Sequence, residues 1–66
     1  MPTRKLLRDK IQRLYRTQDR CAYEIGIDAG ILSRIINCTK DPTDEQVIKL
    51  IESLGLTAKE VNKKDA

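Results

Sequence analysis

The sequence predicts a compact all-α domain of four to five short helices. Three observations support this. Apolar residues recur at three- and four-residue spacings along most of the chain. Helix-capping residues stand before those stripes. Alternating apolar and polar runs long enough for a strand are hard to find. At 66 residues the chain holds one domain, spanning 1–66.

The first helix is expected to begin near Thr3 as N-cap and to reach Tyr15 or Arg16. Leu7, Ile11 and Leu14 share one face at i, i+4, i+7, and Arg4, Lys5, Arg8, Lys10 and Arg13 crowd the rest. Thr17 caps a second helix whose inward positions are Cys21, Ala22 and Ile25; Gly26 ends it in a left-handed conformation. Asp28 caps a third helix that buries Leu32, Ile35 and Ile36, with Ile31 beside them. Its opposite face is Ala29, Gly30, Ser33, Arg34 and Asn37. Residues 38–42 form a loop, because Pro42 disfavours helical geometry at Asp41.

Thr43 with Gln46 three residues later is a capping box for a fourth helix with the stripe Val47, Leu50, Ile51, Leu54 and a terminal Gly55. Thr57 with Glu60 opens a short fifth helix over Ala58 to Val61. Residues 63–66 read as a frayed tail. Tyr15 and Tyr23, the only aromatics, read as packing residues with their hydroxyls at the surface.

Composition narrows the function classes. Thirteen Lys/Arg against ten Asp/Glu leave a net charge of +3, and the pI is near 9.1. The charge is uneven. Residues 1–40 hold nine basic and four acidic side chains, a net of +5, whereas 41–66 hold four and six, a net of −2. A basic half suits phosphate binding.

Apolar runs are too short to span a bilayer. The basic start, Met1 to Lys5, has no apolar segment behind it, so it is no secretory signal. The chain therefore reads as cytoplasmic. Histidine is absent, which removes the commonest neutral-pH acid/base and the commonest zinc ligand. Ser33 then has no His to activate it, and the carboxylates are scattered. The expectation is not an enzyme, with no cofactor, no metal and no small-molecule ligand. Cys21 and Cys38, with sixteen residues between them, match no zinc spacing and read as two free thiols. A chain this short buries only roughly 60 % of its unfolded surface, so it needs well-made helices or a partner copy.

The stretch Thr17-Gln18-Asp19-Arg20-Cys21-Ala22-Tyr23-Glu24-Ile25-Gly26-Ile27-Asp28 resembles the first half of a helix-turn-helix, and Leu32-Ser33-Arg34-Ile35 resembles the recognition helix that follows. The loop Asn37 to Pro42 and the segment Val47 to Thr57 are similar to what comes next in the lambda-repressor-like family of phage repressors and Cro proteins. The likeness covers about residues 5 to 62. It implies a lambda-repressor-like bundle and a sequence-specific double-stranded DNA-binding transcriptional regulator, of phage or mobile-element type. Physical reasons back the spacing: Ala22 lets two helices cross closely, Gly26 supplies a positive φ, and Ile27 fills the core beneath.

Carried onto this sequence, the resemblance puts base contacts at Asp28, Ala29, Gly30, Ser33 and Arg34. Phosphate contacts fall at Thr17, Gln18, Asn37, Thr39 and Lys40, with Arg16 and Arg20 as outer ones. Ala29 and Gly30 offer no side-chain hydrogen bonds, so readout rests on Arg34, bidentate to guanine, and on Ser33. Where the family pairs an Arg on the first helix with a Glu late in the recognition helix, this chain has Ile11 and Ile36, which should touch. Cys38 replaces a loop glycine, which is tolerable if its φ is negative. Leu54, Leu56 and Val61 are candidate dimer-interface residues, with core burial as the other reading; a homodimer would set half-sites about one helical turn apart. The rival function is a protein-interaction module, an antitoxin-like or anti-repressor adaptor, favoured by Ala29, Gly30 and Ile31.

Overall fold

A computed structural model describes residues 2–65. Five helices follow one another: α1 Lys5–Tyr15, α2 Gln18–Ile25, α3 Ala29–Ile36, α4 Asp44–Leu54 and α5 Ala58–Asn62. No strand occurs among the described residues, only an isolated antiparallel bridge between Thr3 and Asp65. The Cα radius of gyration is 10.3 Å, close to the ~10.8 Å that chain-length scaling gives for a packed domain.

Four of the five helix starts follow the sequence signals. Thr17 and Asp28 accept from the backbone N–H groups of Arg20 and Ile31. Thr43–Gln46 and Thr57–Glu60 close reciprocal capping boxes. Each such cap satisfies a donor the helix cannot reach and contributes about 1 kcal/mol. Gly26 (φ 76°) and Gly55 (φ 68°) end α2 and α4 in the left-handed region.

The exception is α1. Thr3 does not cap it; Arg4 stands at that position with no side-chain cap, and Thr3 instead exchanges two backbone hydrogen bonds with Asp65 (2.8 and 2.7 Å). The same pairing corrects the expected frayed tail. Asp65 is tied back to Thr3 and Lys64 pairs with Asp41, and Ala66 lies outside the described residues.

One apolar core unites the helices: Leu7 and Ile11 of α1, Cys21 and Ala22 of α2, Leu32, Ile35 and Ile36 of α3, Leu50 and Leu54 of α4, and Val61 of α5, with Ile27 and Leu56 from the connections. Burying each Leu or Ile is worth about 1.5–3 kcal/mol. Ile11 and Ile36 are both buried in this core, where a buried ion pair would need full hydrogen bonding to break even. Cys21 and Cys38 are free thiols.

Two assignments along the apolar stripes change. Leu14 is 51 % exposed, and Tyr15 packs against the core in its place. The buried stripe of α1 passes through Leu7, Ile11 and Tyr15, which leaves Leu14 at its margin in the last turn. Tyr23 is 89 % exposed, so it does not pack as Tyr15 does. It lies on the side of α2 away from Cys21 and Ala22.

Candidate nucleic-acid interface

Helices α2 and α3, eight residues each, are joined by the three residues Gly26, Ile27 and Asp28. Gly26 makes the left-handed step and its N–H bonds to the Ala22 carbonyl. Ile27, 6 % exposed, then anchors the turn in the core. The inner face of α3 is fully committed to that core through Leu32, Ile35 and Ile36. Its outer face is open: Asp28, Gly30 and Arg34 are exposed, and Ala29 and Ser33 are half-buried.

These five positions differ in what they can offer. The Asp28 carboxylate is the N-cap of α3, its Oδ1 accepting from Ile31 N–H at 3.2 Å. A Cβ on Gly30 would stand 3.1 Å from that same Oδ1. That is a tight approach, which a side chain at position 30 would relieve by a shift of a few tenths of an ångström in the exposed Asp28 carboxylate. Ala29 packs partly against the core. Arg34 is the one long donor on this face, and its guanidinium has no ion-pair partner among the described residues.

The loop after α3 is a Schellman-type ending. Thr39 N–H bonds to the Arg34 carbonyl (2.9 Å) and Cys38 N–H to the Ile35 carbonyl (3.2 Å). That motif demands a left-handed residue, and here it is Cys38 at φ 60°, so the condition of a negative φ is not met and the substitution for glycine carries backbone strain. Asn37, Thr39 and Lys40 all face solvent. The Thr39 hydroxyl, however, donates to the Arg34 carbonyl at 3.2 Å, so its proton is already used. Lys40 has no ion-pair partner among the described residues.

A cleft of about 320 Å³ opens where the end of α1 meets the start of α2, lined by Arg8, Gln12, Arg16, Thr17, Gln18 and Asp19. It brings together three of the expected phosphate contacts, Arg16, Thr17 and Gln18, with the amide end of α2, whose first N–H groups have no partners inside the helix. Thr17 Oγ1 accepts from Arg20 N–H at 3.1 Å and keeps its own proton to donate. Arg16 holds φ 75°, ψ −46°, a rarely populated region for a side-chain-bearing residue. Asp19 opposes an anion here. Arg20 sits 3.8 Å from Glu24, so its charge is shared. Gln12 carries no expectation from the sequence, and Arg8 reads there only as one of the cations crowding the first helix. Their i, i+4 spacing puts them on one side of α1, but only the crossing of α1 with α2 turns that side towards the cleft.

Arg4 also departs from its expected place on the basic face of α1. It is 1 % exposed, where a solvated charge was expected. It stands three residues before Leu7 and seven before Ile11, in phase with the buried stripe, and that spacing is the signal that marks it.

Leu54, Leu56 and Val61 are 2 %, 8 % and 0 % exposed within the single chain. Side chains consumed by their own core cannot form a contact patch, so the dimer-interface assignment is replaced by core burial. No metal-holding cluster of His, Cys, Asp or Glu occurs among the described residues, and no helix is long and apolar enough to cross a membrane. Burial, with the nearby Glu24 carboxylate adding to it, pushes the Cys21 thiol up to about 11.

No family model, no curated protein and no solved structure matches the chain.

Proposed function

We propose that this chain binds double-stranded DNA sequence-specifically as a small transcriptional regulator, with α3 lying in the major groove. The observation that carries the reading is the two-faced character of α3. Its inner face is locked by three buried aliphatic residues, and its outer face presents an Arg34 with no ion-pair partner among the described residues, in a chain that carries two groups of phosphate-capable residues. One group is Asn37 and Lys40 in the following loop; the other is Arg16, Thr17 and Gln18 at the start of α2. Phosphate contacts fix register, and base-edge contacts read sequence. Arg34 supplies the base-edge donor fork, and the net charge of +5 on residues 1–40 draws the duplex in. In this reading the protein occupies an operator in the cytoplasm, as a monomer or as a homodimer, and blocks or contacts polymerase.

The adaptor reading is less well supported. Two of the three residues that favoured it, Ala29 and Ile31, pack partly against the core and leave little apolar surface on α3. Fluorescence anisotropy with random duplex pools separates the two readings. If two or three cations sit on phosphates, affinity should fall by about tenfold to fortyfold between roughly 50 and 200 mM salt. No binding at the lower concentration would favour the adaptor.

A further inference from the structure

Arg4 is the one charged side chain that is buried among the described residues. All of its partners lie within a single stretch, residues 35–41. Nη1 donates to the Ile35 carbonyl (2.6 Å), the Lys40 carbonyl (3.4 Å) and Cys38 Sγ (3.6 Å). Nη2 donates to Asp41 Oδ1 at 2.9 Å, and the backbone N–H donates to the Ile36 carbonyl at 2.7 Å. Lys64 Nζ reaches the same Asp41 Oδ1 at 3.3 Å, and the Thr3–Asp65 bridge holds the segment just before Arg4.

This arrangement is a poor source of stability. Nε is buried without a partner, and the paired carboxylate is 75 % exposed. A buried ion so incompletely satisfied is commonly improved upon by an apolar side chain of the same volume. What a guanidinium supplies and an apolar group does not is geometry: a flat fork of donors at the C-terminal end of α3, where free carbonyls and the helix dipole favour a cation. The fork joins the last turn of α3 to the far end of the loop. The near end is held separately, by the Thr39 and Lys40 N–H groups on the Arg34 carbonyl. The loop carrying Asn37 and Lys40 is thus pinned at both ends.

We propose that Arg4, through Asp41, is a positioning residue that presents the 37–40 loop to a phosphate backbone. The inference rests on the DNA-binding reading above, but the clamp has a consequence that needs no DNA.

The test uses Asp41→Ala in the full chain, because Asp41 is exposed and its loss leaves the core intact, whereas Arg4 variants risk unfolding. Hydrogen exchange comes first. The Thr39 and Lys40 amides should exchange faster by about fivefold to tenfold, with α1 and α2 amides unchanged, as expected for local opening. Unchanged exchange at 39 and 40, or a uniform rise across the chain, overturns the clamp. Binding to a random duplex pool at low salt comes second, and here the sign decides. Removing a carboxylate beside the loop should tighten binding if charge alone matters. Positioning predicts weakening, by about fivefold for one misplaced charge-assisted contact. Tighter or unaltered binding overturns the positioning role. If the unaltered protein binds no duplex, the DNA-binding reading falls and the positioning role with it, while the exchange result still decides whether the clamp orders the loop.

Discussion

Cys38 occupies a position where the backbone requires a positive φ of 60°, at the C′ residue of the α3 Schellman ending. For a residue with a Cβ that conformation costs about 1–2 kcal/mol. Cys38→Gly removes this strain and costs about 0.5–1 kcal/mol through the greater freedom of the unfolded chain. It also loses the weak contact of Sγ with Arg4 Nη1. Cys38→Ala loses the same contact and keeps the strain. The comparison of the two variants therefore cancels the sulfur and isolates the backbone.

The glycine variant should exceed the alanine variant by about 0.5–1 kcal/mol, the reverse of their order inside a helix. In a domain of this size that gap appears as about 2–8 °C in Tm. Urea unfolding followed by far-UV circular dichroism gives the free energies, and thermal melts give the Tm. An alanine variant as stable as the glycine variant would show that this loop does not impose the left-handed step, and the account of how Asn37 and Lys40 are presented would fail with it.

Further outcomes follow from the same geometry. A thiol reagent near pH 8 should modify Cys38 in the folded protein and leave Cys21 untouched until unfolding, since Cys21 is buried and its pKa is pushed up to about 11. Because that folded pKa lies above the ordinary value of 9.0, the contribution of Cys21 to stability is intact below pH 9 and declines as pH rises from 9 towards 11. Cys21→Ala should flatten that alkaline limb in urea titrations. At the acid end, Arg4 and Lys64 hold the Asp41 carboxyl below its usual range. Its stabilisation is present above the unfolded value, about 4, and is lost as pH falls through the lower folded value; Asp41→Ala should shallow the acid unfolding curve. Lys40→Ala should weaken binding to all duplexes alike and reduce the salt slope by roughly one, measured by anisotropy across a salt series.

Much of the fold is legible in the residues because local rules set it. Thr17, Asp28, Thr43 and Thr57 mark helix starts by hydrogen bonds confined to four residues, and Gly26 and Gly55 mark ends by φ alone. Where several parts of the chain meet, the sequence is silent. Arg4 reads as one more cation on a basic helix until the 35–41 stretch is folded over it. Cys38 reads as harmless until the Schellman hydrogen bonds fix its φ. Leu54, Leu56 and Val61 lie on helical stripes and connections that suit a core or an interface equally, and only the packing of α4 and α5 against the rest decides. Within the candidate interface, the sequence gives the residue types on α3. It does not give which hydroxyls are already spent, as the Thr39 proton is on the Arg34 carbonyl.

The most direct test is a selection of duplexes bound from a randomised pool, sequenced for the unaltered chain and for Arg34→Ala. The account predicts one enriched site for the unaltered chain. Arg34→Ala should lose about 1–3 kcal/mol on that site and show flattened preference at a single base pair. An equal loss on every sequence, or no enrichment by either protein, would contradict it.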